Sequence, residues 1–328
     1  MGNPGLGNVG CIKTWKARMR YLILGAGALG GYFGGRLARN GTDVTFLVRP
    51  RRAAQLAASG LAVKAKDGEI RMPVETVLAG AVTNHYDIIL LCCKAYDLDD
   101  AMTAIAPAVG PDSAILPVLN GMRHMEVLSN QFGARRVLGG LTLVNTVLTP
   151  DGEIVQSQVS LNTISCGEQL EVGSARCEQI KRDFVAAGVE MSVSSDIIRD
   201  MWGKFVAMAG SSAIAVLTRA RASAVATAPA GTALVSSVID ECGCVVAARG
   251  YPAPAAMTDL LRTLWSNRES NYGPSMLVDI ENGNRTEGEH IIGDMVRLAE
   301  AERIPVPVLT AALCSVQAYE TQRLARGS

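Results

Sequence analysis

Hydrophobic residues in the first half of the chain fall in short runs divided by Gly-rich and polar stretches, whereas in the second half they recur at helical spacing. Arg20 to Leu24 is an apolar run that leads into Gly-Ala-Gly-Ala-Leu-Gly-Gly and a segment stopped by Asn40-Gly41. This predicts a buried strand, a glycine turn and a helix. Val44 to Val48 predicts a second strand, followed by a helix over Arg52 to Ser59. Further strand-like runs lie at Leu61 to Ala65, Arg71 to Val74, Asp87 to Cys93, Ala114 to Leu119 and Val137 to Leu143. Strands alternating with short helices predict a parallel sheet covered on both faces. Asp151-Gly152 predicts a hairpin-like turn, with Ile154 to Gln158 and Asn162 to Cys166 alternating in the manner of paired strands.

The period changes near residue 193. Val235, Val238, Ile239, Cys242, Val245 and Val246 fall on one helical face, and Ile291, Ile292, Met295, Leu298 and Ala299 on another. Phe205 to Leu217 is apolar nearly all round but short and rich in Ala, Gly and Ser, which predicts a central core helix and not a membrane span. The expected division is a disordered leader over residues 1–18, an α/β domain over 19–192 and an all-α domain over 193–328.

Composition narrows the functions open to such a fold. The chain has 328 residues, 48% apolar and 19% charged, which suits a compact enzyme of two domains. Lys plus Arg and Asp plus Glu are 31 each, so there is no cationic surplus for a nucleic-acid backbone or an anionic membrane surface. Among its cysteines no CxxC pair occurs, and with three histidines the chain has no zinc-type spacing. Cys92 and Cys93, inside an apolar run, read as small buried hydrophobes. The leader lacks the apolar core of a signal peptide, and the expected location is the cytoplasm.

Gly25-x-Gly27-x-x-Gly30 follows a strand and opens a helix, so Gly25, Gly27, Ala28, Leu29 and Gly30 form the candidate dinucleotide loop of an α/β Rossmann domain. One glycine turns the chain, one admits a pyrophosphate and one lets helix and strand close; used for packing alone, the same turn binds nothing. The second strand ends in Val48-Arg49-Pro50-Arg51-Arg52, where an NAD site places a carboxylate. Cations there favour the 2′-phosphate of NADP, with Arg49 as its contact; otherwise they are the solvated start of a helix. Lys94 and Asn120 follow the strand runs Asp87 to Cys93 and Ala114 to Leu119, at the ends where ligands of open parallel sheets lie, although Asn120-Gly121 could equally be a bare turn.

These motifs combine with Lys94-Ala95-Tyr96, Trp202-Gly203-Lys204, Ser275-Met276-Leu277-x-Asp279 and Arg285-Thr286-Glu287. In this order, and from Met19 onward, the chain resembles the ketopantoate reductase (2-dehydropantoate 2-reductase) family. The resemblance implies reduction of a 2-oxo acid to a 2-hydroxy acid with NADPH, an active site between the two domains, and a helical half that also serves dimer contacts. It makes Lys204 the catalytic acid, Glu287 the partner of the developing hydroxyl, Ser275 the holder of the substrate carboxylate, and Asn120 the residue joining cofactor and substrate. A positioned ammonium suits a ketone whose oxygen gains negative charge. Without the resemblance Lys204 reads as a helix-surface lysine and Glu287 as one acid of a solvated run.

The chain departs from the family where asparagines follow the lysine by one and two helical turns. Here Met208 and Ser212 stand at those substrate-facing positions. A thioether and a hydroxyl remove donors suited to a polyhydroxylated acid, so a more apolar 2-oxo acid is the alternative substrate. A catalytically idle NADP-binding sensor would have no use for Lys204 and Glu287.

Overall fold

The computed structural model describes residues 19–157, 162–170 and 173–326; the leader 1–18 and Gln158 lie outside the described residues. In chain order the described strands are β1 (Arg20–Leu24), β2 (Asp43–Leu47), β3 (Leu61–Ala65), β4 (Gly68–Met72), β5 (Glu75–Val77), β6 (Tyr86–Leu91), β7 (Val109–Pro117), β8 (Gly139–Val144), β9 (Thr146–Leu148), β10 (Glu153–Gln156), β11 (Asn162–Gly167) and β12 (Glu190–Val193). The helices beside them are α1 (Ala28–Arg39), α2 (Pro50–Ser59), α3 (Leu98–Ile105), α4 (Arg123–Phe132) and α5 (Ala175–Ala186).

The central sheet is parallel, in the order β5-β2-β1-β6-β7. Its inner strands are apolar on both faces, as expected of strands covered on both sides, with Tyr21, Leu22, Ile23, Ile89, Leu90 and Leu91 all buried. Helix α1 lies close against this sheet because its glycines leave room. A Cβ on Gly34 would stand 2.6 Å from the Phe46 ring of β2, and one on Gly35 would stand 2.8 Å from Leu61 of β3, which lies in a separate sheet.

Two strand expectations are corrected. The runs at Leu61 to Ala65 and Arg71 to Val74 do not extend the parallel sheet, and Val137 to Leu143 touches it only through a single parallel bridge from Val137 to Ile115 of β7 before it turns away. β3 and β4 form a four-stranded sheet of order β4-β3-β10-β9, and β8 joins a third sheet of order β12-β11-β8. The Asp151-Gly152 turn does close a hairpin, but β10 pairs antiparallel with β9 upstream of it. Ile154 to Gln158 and Asn162 to Cys166 are not partners: β10 adds parallel to β3, whereas β11 pairs with β8 and β12. Alternation sets which face of each strand is buried. It carries no information about the neighbour, and Ile154, fully buried over Gly31 of α1, is satisfied by either pairing.

From Ile197 the chain is helical: α6 (Ile197–Thr218), α7 (Ala222–Thr227), α8 (Gly231–Ala248), α9 (Ala255–Ser266), α10 (Ser275–Glu281), α11 (Asp294–Ala301) and α12 (Pro307–Arg326). Helices α6 and α8 are each long and apolar enough to cross a bilayer by length and composition. Packing of Phe205, Val206, Ala209, Ala213 and Ile214 into the helical core accounts for the apolarity of α6. Its first turns face the other way: Ile197 and Met201 join a core with Leu119 and Leu128 of the α/β half. One helix therefore ties the two halves together, and the residues at its start lie at their junction.

Candidate active site

The sharp turn after β1 is set by Gly25, whose φ of +90° suits glycine and whose N–H donates to the Leu47 carbonyl at 2.9 Å. Gly27 caps α1, and a Cβ added there would meet nothing within 4 Å, so the backbone is open to a ligand. At Gly30 the same atom would overlap the Gly25 carbonyl oxygen, which makes this glycine a packing requirement. Ala28 and Leu29 begin the helix, and the N–H groups of such a first turn lack helical acceptors and favour an anion.

The loop forms one wall of a cleft of about 450 Å³ whose other walls include Val48, Arg49, Arg52, Cys93, Asp97, Asp100 and Leu148. Arg52 Nε donates to the Ala26 carbonyl at 2.9 Å and its Nη1 to the Gly152 carbonyl at 3.1 Å, while Nη2 is buried with no partner. Burial lowers the pKa of this guanidinium, and among the described residues it makes no ion pair with a carboxylate. An open glycine cradle, a helix N-terminus and a half-buried guanidinium whose Nη2 has no partner fit an anionic dinucleotide. The expected phosphate contact, Arg49, caps α2 with its side chain 73% exposed, and its guanidinium is held at 3.1 Å by Asp97. Cys92 and Cys93 are half-buried rather than wholly buried as expected, because Cys93 lies at the strand end that lines the cleft; desolvation by the surrounding protein still pushes the Cys93 thiol up to about 12.

Lys94, just beyond β6, reaches across to the helical half. Its ammonium donates to Glu287 Oε2 at 3.2 Å and to Asp279 Oδ2 at 3.4 Å, and the neighbouring Ala95 N–H donates to Glu287 Oε1 at 3.0 Å. Burial acts to lower the Lys94 pKa, but the two carboxylates outweigh it and raise it; burial likewise raises Asp279. Glu287 is 4% exposed, so the solvated-face reading of the acidic run does not hold at this position. Its segment is fixed on both sides. The Arg285 guanidinium lies 4.2 Å over the Tyr96 ring, and the Thr286 N–H and hydroxyl donate to Glu320 at 2.7 and 2.8 Å. A π-helical turn, Glu289–Gly293, follows directly, a geometry frequent at functional sites. Gly121, at φ +85°, brings the Asn120 turn against it, since a Cβ there would stand 3.0 Å from the His290 carbonyl oxygen.

Lys204 lies two turns into α6 and lines a narrow crevice with Leu119, Gly140, Leu141, Met201, Phe205 and Met208. Burial lowers its pKa to about 8, with Glu287 partly offsetting the shift. His124, in the first turn of α4, is buried with Nε2 unpartnered; burial and then the Lys204 charge push its pKa down to about 3, so the imidazole is neutral. Of the substrate-facing candidates, Met208 stays on the crevice. Ser212 does not: it is 1% exposed, its hydroxyl enclosed and unpartnered, because α6 enters the helical core after Met208. Ser275 is exposed at the first position of α10, the helix that also carries Asp279.

Sequence reasoning thus missed Arg52, Asp97 and His124 as site residues. Arg52 follows Arg49 by three positions on a helix, and Asp97 closes the Lys94-Ala95-Tyr96-Asp97 run, so both had a local signal. His124 had none, since only the folded chain sets it beside Lys204.

Comparison with known proteins agrees with this geometry. Residues 21–169 match the family model of ketopantoate reductase PanE/ApbA, and residues 196–320 match that of its C-terminal part. The chain is 34% identical over 306 residues to the uncharacterized oxidoreductase YkpB of Bacillus subtilis, covering 93% of this chain and 100% of that one. It is 30% identical over 306 residues to a 2-dehydropantoate 2-reductase of Pyrococcus horikoshii, with 92% and 98% covered. A solved 2-dehydropantoate 2-reductase of Geobacter metallireducens superposes with a TM-score of 0.83 at 27% identity, over 92% and 99% of the two chains. A nucleotide-type cleft in the α/β half, a buried carboxylate of the helical half that bridges to Lys94 and these matches together place the chain in the ketopantoate reductase family PanE/ApbA.

Proposed function

We propose that this oxidoreductase reduces a 2-oxo acid to the 2-hydroxy acid with NADPH, ketopantoate being the family's substrate. The observation that carries the reading is the placement of Lys204, which lines a crevice with Leu119 and Gly121 of the α/β half and Met208 of α6, where burial lowers its pKa to about 8. The bound nicotinamide supplies the hydride. The glycine loop and the start of α1 would hold the pyrophosphate, and Arg49 and Arg52, which line the same cleft, would be available to the rest of the nucleotide. As negative charge gathers on the substrate oxygen, the Lys204 ammonium stabilises it and delivers the proton. Glu287, fixed by Lys94 and the Ala95 N–H, accepts from the new hydroxyl. Asn120 and Ser275 orient the substrate. Following NADPH absorbance with ketopantoate and a panel of other 2-oxo acids tests the reading; oxidation with none of them would overturn it.

The acid must be protonated to work, so kcat/KM for reduction is expected to be flat below pH about 8 and to fall tenfold per pH unit above it. Oxidation of the 2-hydroxy acid needs the neutral amine and should show the opposite limb. A pH profile of the reduction that stays level from pH 7 to about 10 would remove Lys204 from the role of acid.

The crevice walls favour a second substrate. Leu119, Leu141, Met201, Phe205 and Met208 offer no donor to a terminal hydroxyl, which would be desolvated without return. A 2-oxo acid with an apolar side chain should therefore surpass ketopantoate. Met208→Asn should shift kcat/KM towards ketopantoate about tenfold, equivalent to roughly 1.4 kcal/mol. High efficiency of the unaltered enzyme with ketopantoate would show that other donors serve the hydroxyl.

A further inference from the structure

We propose that Asp97 sets the cofactor selectivity of this chain, holding Arg49 so that NADH is bound about as well as NADPH. The inference rests on the nucleotide-binding reading of the cleft given above. At the end of β2, where a carboxylate would receive the ribose hydroxyls of NAD, the chain has Arg49. The acid is delivered from elsewhere. Asp97, in the turn after β6, reaches the same rim and lies 3.1 Å from the Arg49 guanidinium. Asp100, one turn further along at the start of α3, lines the same cleft, as does Arg52. Two cations and two carboxylates thus share the rim, and their formal charges cancel.

A 2′-phosphate carries about −1.5 to −2 charge, so NADPH must share Arg49 with Asp97, which already neutralises part of its charge, and sit beside two carboxylates. The ribose diol of NADH meets none of this cost. Its hydroxyls are donors, and Asp97 is an acceptor already placed at the rim. Asp97 is 31% exposed, and solvent screens the repulsion, so the effect is a factor of about ten and shrinks as salt is added.

Calorimetric titration of the full chain with NADPH and with NADH, without substrate, measures the effect on binding alone. The unaltered chain is expected to bind the two nucleotides within about tenfold of each other. Asp97→Asn should raise NADPH affinity about tenfold and leave NADH equal or weaker, and kcat/KM with the two donors should move in the same ratio. In the Arg49→Ala background Asp97→Asn should raise NADPH affinity by less than in the unaltered chain, because only the direct repulsion remains to be relieved and the part that runs through the arginine is gone. An unchanged affinity ratio in Asp97→Asn, or an unaltered chain binding NADPH more than about a hundredfold tighter, overturns this inference and leaves the proposed reaction standing. Absence of binding by either nucleotide overturns both.

Discussion

Lys204→Ala should lower kcat by about 10²- to 10⁴-fold, the usual worth of a positioned general acid, and leave nucleotide affinity nearly unchanged. The two effects separate because Lys204 borders the crevice on α6 and not the cleft walled by the glycine loop, Arg49 and Arg52. Removing the ammonium also ends its interaction with Glu287, but that carboxylate keeps the Lys94 ammonium at 3.2 Å and the Ala95 N–H at 3.0 Å, so it is not stranded. The site should therefore survive the substitution, and the loss should lie in the chemical step. Lys204→Arg keeps a charge but cannot give up its proton near neutral pH, so it should recover little of kcat. The measurement is kcat for the best 2-oxo acid beside the dissociation constant of NADPH. Turnover within a few-fold of the unaltered enzyme would sink the role given to Lys204, and a parallel collapse of nucleotide binding would make the lysine structural.

The second large effect is expected at Gly30. A Cβ there would overlap the backbone carbonyl of Gly25, which is itself fixed by φ +90° and by its N–H bond to Leu47. No flexible side chain can yield, so α1 must move off β1 or the loop must open. Gly30→Ala should cost about 3 kcal/mol, the upper end of overpacking penalties. Gly27→Ala is the control, because its Cβ would enter open space and should cost little stability while obstructing the nucleotide. Urea unfolding and nucleotide titration of both variants give the comparison. Equal stabilities for the two would show that the tight approach at Gly30 can relax; unimpaired nucleotide binding in Gly27→Ala would show that the cleft does not admit a ligand at this loop.

The legible parts of the site are those whose partners are close in sequence or whose neighbours share a period. Gly25, Gly27 and Gly30 act within one turn and one helix start, and the chain order around them states their geometry. The helical spacing of α6 likewise placed Lys204 and Met208 on one side of a helix. It misplaced Ser212, since periodicity says which residues share a face and not where along its length that face passes from cleft to core.

What the sequence determined by itself is the main strands, several of the helices, the change from strands to helices and the glycine loop, because strand alternation, helical period and turn chemistry are local properties of the chain. The tertiary structure alone decided which distant groups meet. Lys94 and Glu287 are 193 positions apart, and Arg52 donates to a carbonyl 100 positions away in the β9–β10 turn. Arg49 reads as a free cation at the end of β2 until folding brings Asp97 to it from the end of β6. The partners of β10 and β11 were unreadable for the same reason. A residue's type and spacing fix what it can bond, while the identity of its partner follows from how whole elements pack, and burial then lowers the pKa of Lys204 to about 8, the Glu287 charge partly offsetting the shift.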